Sequence, residues 1–280
     1  MTTALAGYHV TDEQLAVWHR DGFLIVRGLF QPAEVAEIRE HFDHFGQAPV
    51  KGYWDADFTE AGQKDPLLRW PRVMHPHRWQ ADGVAKRYML HPRVHDVLVA
   101  LYGEEPIATQ SMYYYKPPGS RGQAMHQDNF YLQVHPGSCI AAWTAIDPAT
   151  PDNGGLFVVP GTHTMEIACP EEADPTESAF VHLVRAPKGM KAVPAELASG
   201  DTLFFNGSLI HGSGPNRSQT MWRRSFICHY MQKSAQHIAS AYAPLMDFAG
   251  NIVEYNMSDE GGPCGKEFDA SQYGSYGKWH

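Results

Sequence analysis

The chain has 280 residues, of which 43% are hydrophobic, and a formal net charge of −9. That length and apolar content are enough for a sizeable core in one β-barrel or sandwich domain with helical additions. The acidic balance without a basic stripe argues against nucleic acid as a partner, and no apolar run approaches the roughly 20 residues of a membrane span.

The N-terminus, "MTTALAGYHV", has no basic region followed by a long apolar run, so no signal peptide is expected. "VTDEQLAVWHRDG" then predicts a helix. Thr11 is its N-cap, Gln14 completes a capping box, and Gly22 stops it. "FLIVRGLF" follows as a short strand. Residues 31–45 predict a second helix, with Pro32 in the first turn and Val35, Ile38, Phe42 and Phe45 along one face. Residues 46–82 read as irregular. Within them the basic, aromatic "LRWPRVMHPHRW" reads as a loop over a pocket or as ordinary surface. Residues 91–103 predict a third helix, closed by Gly103.

From about 106 to 230 the texture changes to β-rich segments divided by Gly, Pro, Asn and Asp. They include "IATQSMYYY", "QAMHQDNFYLQV", "CIAAWTAI", "GLFVVP", "DTLFFNG" and "RRSFICHYM". Many short strands with turn signals predict a barrel or a double-sheet jelly roll. Residues 165–190 read as an exposed loop, and the tail 241–280 shows little periodicity. No repeat or linker divides the chain. The expectation is a single domain over 1–280, with a helical part at about 10–103, a jelly-roll core at about 106–230 and a C-terminal tail. The cysteines, Cys139, Cys169, Cys228 and Cys264, are widely spaced. They form neither a disulfide framework nor a zinc ribbon, and free thiols point to a reducing cytoplasm.

The chemistry concentrates in "AMHQDNFYL". Residues two apart on a strand share a face, so His126 and Asp128 are expected to point the same way. An imidazole and a carboxylate side by side can take two positions on a metal. The best third ligand is His211 in "GDTLFFNGSLIHGSGPNRS", at a strand end among small residues. Two histidines and one carboxylate form the facial triad of non-haem iron(II) oxygenases, which leaves coordination positions open. 2-Oxoglutarate, a common reductant for such iron, carries a far carboxylate that an arginine suits, because arginine stays charged and binds it in bidentate fashion. "MWRRSFICHY" supplies Arg223 and Arg224. On a strand with a buried face, one of two adjacent arginines must point inward, and a buried arginine needs an anion. The Arg223 face also carries Ser225, Ile227 and His229. The other face carries Phe226, Cys228 and Tyr230, the more apolar set, and is expected to be buried against another layer of side chains, while the more polar Arg223 face fits the lining of a cosubstrate pocket inside a barrel.

Taken together, "TDEQLAVWHRDGFLIVRGLF", "SMYYYKPPGS", "MHQD", "AAWTAIDPATPDNGGLFVVPGTH" and "GDTLFFNGSLIHGSGPNRS" resemble the phytanoyl-CoA dioxygenase family of iron(II)/2-oxoglutarate oxygenases, in the family's order, over residues 10 to about 230. The resemblance implies a mainly β fold, a double-stranded β-helix of the cupin-like jelly-roll kind, with flanking N-terminal helices. It implies iron(II) on His126, Asp128 and His211. It gives the far carboxylate of 2-oxoglutarate to Arg223 and Ser213. It puts Gln110 at a cosubstrate-contact position, with Tyr114 on the same face by strand parity. Trp143 falls at the cosubstrate-pocket tryptophan, although a core aromatic is an equal reading. "NGGLFVVPGTH" is expected to be structural, with Asn153, Gly154 and Gly155 in one turn, Pro160 and Gly161 in another, and His163 as scaffold. The spacing from His211 to the arginine pair is one residue longer than in the family, the extra residue lying in "QTMW".

The implied reaction consumes O2 and 2-oxoglutarate, yields succinate and CO2, and hydroxylates an unactivated C–H bond of a small-molecule metabolite. Desaturation, epoxidation, ring closure or an acyl-CoA substrate remain open, as does the oligomeric state. A halogenase on this fold would carry a small residue at the position of Asp128. A non-catalytic binding module or a zinc hydrolase would make no succinate.

Overall fold

The computed structural model describes residues 7–47, 72–79 and 83–258. Most of the irregular stretch, 48–71 and 80–82, and the tail beyond 258 lie outside the described residues.

Helix α1 (Asp12–Asp21) begins and ends as its sequence dictates. The Thr11 hydroxyl accepts from the Gln14 backbone at 3.3 Å, and the Gln14 side chain accepts from the Thr11 backbone at 2.9 Å. Gly22, at φ 80°, ends the helix in the left-handed region. Helix α2 (Pro32–Gln47) buries Val35, Ile38 and Phe42 on one face; the side chain of Phe45 lies outside the described residues. The helix Pro92–Tyr102 is capped by His91 and Gly103 and buries Val94, Val97, Leu98 and Leu101 at helical spacing. A further short helix, Val84–Met89, was not expected.

The strands in chain order are β1 (Phe23–Val26), β2 (Val73–Met74), β3 (Pro106–Tyr114), β4 (Gln123–His126), β5 (Ile140–Ala145), β6 (Leu156–Val158), β7 (Glu171–Glu172), β8 (His182–Leu183), β9 (Val193–Ala195), β10 (Thr202–Asn206), β11 (His211–Ser213), β12 (Ser225–Gln232), β13 (His237–Ala239), β14 (Leu245–Met246), β15 (Ile252–Val253) and β16 (Asn256–Ser258). The major sheet runs β1-β10-β5-β12-β3-β14-β15, with β2 also pairing β3. The minor sheet runs β4-β11-β6-β9. Both are antiparallel. Met112, Trp143, Leu203, Phe205 and Ile227 of the major sheet pack against Leu156, Val158 and Ala195 of the minor one. This is a jelly-roll core, the fold class expected. The outer face of the major sheet, with Tyr113, Phe204, Phe226 and Tyr230, is covered by α1, α2 and the helix Pro92–Tyr102.

Both faces of β12 are buried, Phe226 and Tyr230 under the helices and Ile227 and His229 inside the jelly roll, so the apolar face meets another layer and the more polar face lies inside the barrel. Two expectations change. The polar segment 165–190 is more than an exposed loop, because it contains the β7–β8 ribbon and buries Ala173, Ser178 and Val184. Cys139 and Cys228 are free and buried, but Cys169 is disulfide-bonded, its partner lying outside the described residues. The expected set of free thiols is thereby corrected, and the compartment inferred from it loses that support. Among the described residues no helix is long and apolar enough to cross a membrane.

Candidate metal centre and cosubstrate pocket

His126 ends β4 and His211 opens β11, and antiparallel pairing sets the two directly opposite each other. Their rings lie 4.3 Å apart, centroid to centroid. Asp128 reaches them by a route the sequence did not indicate. The strand stops at His126, and Asp128 adopts helical φ/ψ at the head of a turn over Asn129–Leu132. Strand parity is therefore the wrong reason for the right neighbour. Asp128 Oδ1 still lies 3.3 Å from His126 Nε2 and 3.7 Å from His211 Nε2. The three ligating atoms fall within 4.8 Å of one another, and all three residues are buried.

The donor set fits a divalent metal. Nδ1 of His126 is 2.8 Å from the Ala124 carbonyl, and Nδ1 of His211 is 3.0 Å from the Leu209 carbonyl. A carbonyl only accepts, so each Nδ1 carries the proton and each Nε2 keeps its lone pair toward the centre. Burial pushes the His211 imidazole down to about 4, which keeps it in the neutral, ligating form. Burial opposes ionisation of Asp128. Its histidine neighbours, among them His229, which donates its Nε2–H to Oδ2, outweigh it and hold the carboxyl well below the usual carboxylate range. The Gln123 carboxamide lies 3.0 Å from His126 Nε2, so it must turn aside when that lone pair takes a metal.

His229, named beforehand only for its face, donates from Nε2 to Asp128 Oδ2 at 2.9 Å. It holds the carboxylate so that Oδ1 faces the histidines. His229→Ala should weaken Mn(II) binding by about 10- to 100-fold, the usual effect of removing a partner of a metal ligand. His229→Gln, whose amide can still donate, should recover part of it. Unchanged Mn(II) affinity in His229→Ala, measured by calorimetry, would remove this positioning role.

Two basic side chains are buried at the Ser213 end of β11, the strand that His211 opens. Arg223 is 2% exposed. It donates from Nη1 to Ser225 Oγ at 2.7 Å and from Nε to the Gly154 carbonyl at 3.2 Å, and its guanidinium sits 5.2 Å from the Trp143 ring centroid. Lys116, also buried, donates to Ser213 Oγ at 2.9 Å and to the Gly214 carbonyl at 2.8 Å. Among the described residues neither cation forms an ion pair. Burial draws Arg223 down to about 10, and burial together with Arg223 pulls Lys116 well below its usual range. Basic groups buried without an ion pair among the described residues favour an anionic guest. Gly154 makes the close approach feasible: at φ 81° it takes a conformation that side chains avoid, and a Cβ there would sit 2.6 Å from Lys116 Cδ.

Arg224 turns the other way. It pairs with Asp147 through Nε at 2.7 Å and Nη2 at 3.0 Å, and with Asp43 through Nη1 at 2.6 Å. Gln110 pairs with His229 across β3 and β12, and Tyr114 pairs with Ser225, so both stand on the inward face. The Tyr114 hydroxyl accepts from Arg72 at 2.7 Å. The Asn129 side chain is bound to the backbone of Val134, donating from Nδ2 to its carbonyl at 3.1 Å and accepting its N–H on Oδ1 at 3.0 Å. Lys116 was overlooked, although "YKPPGS" displays it; its neighbours Ser213 and Gly214 are nearly a hundred residues away in sequence.

A jelly roll that brings two histidines and one carboxylate together beside unpaired cations defines the class of non-haem iron oxygenases with a facial triad. The sequence model of the family Phytanoyl-CoA dioxygenase (PhyH) matches residues 18–225. The Oryza sativa protein "Phytanoyl-CoA dioxygenase 1" is 28% identical over 243 residues, covering 75% of this chain and 85% of that one. The Bos taurus "Phytanoyl-CoA dioxygenase, peroxisomal" is 28% identical over 236 residues, covering 81% and 70%. In fold, the chain is similar to the epimerase SnoN in complex with Fe3+, alpha ketoglutarate and nogalamycin RO, with a TM-score of 0.63 and 22% identity over 80% of this chain and 84% of that one. The chain belongs to the phytanoyl-CoA dioxygenase family and is an iron- and 2-oxoglutarate-dependent dioxygenase.

Proposed function

We propose that this dioxygenase hydroxylates an unactivated C–H bond of a small-molecule metabolite, releasing succinate and CO2, and that residues 1–280 form a single oxygenase domain. The observation that carries the reading is three buried ligand atoms within 4.8 Å of one another, together with a buried arginine that has no ion pair among the described residues. In this reading His126, Asp128 and His211 hold iron(II). Arg223 takes the far carboxylate of 2-oxoglutarate. Ser213, fixed by Lys116, adds a hydroxyl to the same carboxylate. Trp143 closes the pocket against the guanidinium, and Gln110 and Tyr114 line the inward face between pocket and metal. The iron, when bound, supplies the oxidising chemistry by activating O2 at the expense of 2-oxoglutarate. The chain's own residues orient the cosubstrate, keep the imidazoles neutral and exclude water behind the helical layer.

An acyl-CoA substrate is the second reading, favoured by the names of the rice and bovine relatives. The test is the purified protein with iron(II), 2-oxoglutarate and O2, followed for succinate, first alone and then against a metabolite panel that includes phytanoyl-CoA. Absence of any succinate would sink both readings. Stimulation by phytanoyl-CoA alone would decide for the second.

A further inference from the structure

Gln123 takes no part in the ligand set, yet its side chain reaches the metal centre against the alternation of its strand. It stands three residues before His126 on β4, so plain alternation puts the two on opposite faces. Met125, next to His126, follows that rule and packs with Val159, Val184 and Ile210. Gln123 would share the Met125 face, but its Nε2 lies 3.0 Å from His126 Nε2.

A β-bulge accounts for the exception. His126 pairs with His211 and Gln123 with Ser213, so three steps along β4 oppose two along β11. The extra residue shifts the alternation by one and swings Gln123 to the side of His126. Two glycines admit the close approach. A Cβ on Gly212 would meet the Gln123 carbonyl oxygen at 2.8 Å and Met125 N at 3.0 Å, and a Cβ on Gly122 would meet the Ser213 carbonyl oxygen at 2.3 Å. Inside the bulge, the Ala124 N–H donates to Ser178 Oγ at 3.0 Å, and the Ala124 carbonyl accepts from His126 Nδ1 at 2.8 Å. The same bulge thus fixes the tautomer of the ligand and aims Gln123 at its other nitrogen.

Because His126 Nδ1 carries the proton, Nε2 is a bare acceptor, and the Gln123 carboxamide must present an N–H to it. That lone pair is the one a metal takes. Metal entry breaks the hydrogen bond but leaves the bulge, and with it the carboxamide, beside the centre. Across the strand pair Gln123 stands opposite Ser213, whose hydroxyl accepts from Lys116. Gln123 therefore lies between the metal ligands and the basic end of the site, along the course of a cosubstrate held at one end by the metal and at the other by Arg223 and Ser213.

We propose that Gln123 is a further binding residue of the site with two successive partners: it caps His126 until a metal displaces it, and then donates its amide N–H to the 2-oxoglutarate alongside. A partly buried donor that has lost its acceptor gains by finding another. The inference rests on the iron and 2-oxoglutarate reading, because it takes the molecule beside Gln123 to be the cosubstrate.

Calorimetry tests it, first with Mn(II) and then with 2-oxoglutarate on the Mn(II)-loaded protein, in the parent, in Gln123→Ala and in Gln123→Met, which keeps the length of the side chain. One hydrogen bond is worth a factor of about 2 to 12 in affinity. Both variants should bind Mn(II) more tightly by about that factor, since the competing donor is gone, and 2-oxoglutarate more weakly by about the same factor. The opposite signs distinguish this role from general damage to the site, which weakens both. Unchanged or weakened Mn(II) binding in a folded variant overturns the proposal, as does unchanged 2-oxoglutarate binding. A parent protein that binds Mn(II) but no 2-oxoglutarate defeats the iron and 2-oxoglutarate reading itself, whereas a parent that binds both, with variants that match it, defeats only the role of Gln123.

Discussion

Asp128→Ala should abolish both tight metal binding and succinate formation. The carboxylate is the only acid in the triad, is 8% exposed, and meets His126, His211 and His229 at once. Breaking a buried charged constellation by removing one partner costs about 3–5 kcal/mol, a fall of about 100-fold or more. The variant also strands the His229 Nε2–H that Asp128 accepts. His126→Ala and His211→Ala should lose activity to a similar degree, because each removes a neutral Nε2 lone pair aimed at the centre. Succinate release and Mn(II) affinity are the two readouts, and a variant retaining parental values in both removes that residue from the triad. Asp128→Gly opens a place for chloride, but hydroxylation should fall without chlorination taking its place, since the substrate's position must also suit that transfer.

Arg223→Ala should raise the apparent KM for 2-oxoglutarate by about 30-fold or more, while Arg224→Ala should leave it nearly unchanged. Loss of a charge-assisted pair to a carboxylate at a desolvated site is worth about 2–5 kcal/mol, and Arg223 is buried with no ion pair among the described residues. Arg224 already has Asp147 and Asp43. Its removal leaves the Asp147 carboxylate, 9% exposed, short of a partner. The expected cost is stability, of about 1–3 kcal/mol, read as a lower thermal midpoint. Titration of 2-oxoglutarate against both variants decides the matter: a large KM effect in Arg224→Ala with none in Arg223→Ala reverses the assignment.

Local chemistry carried much of the architecture. The Thr11–Gln14 capping box, the Gly22 and Gly103 stops and the apolar face of α2 depend on neighbours within a few residues, so the helix ends were legible. Strands β3, β4, β5, β6, β10 and β12 were legible because β-branched and aromatic runs alternate with turn residues. His126, Asp128, His211 and Arg223 were also named from the sequence alone.

Other features depended on contacts between distant segments, which no local pattern encodes. The helical turn at Asp128 arises where its backbone docks on the loop after β10, through Asn129 N to the Gly207 carbonyl at 2.9 Å, and not from strand alternation. The burial of both faces of β12 follows from helices packing on one side and a second sheet on the other. His229 and Lys116 gained roles only when β12 came over Asp128 and the segment after β3 came against Gly154 and Gly214.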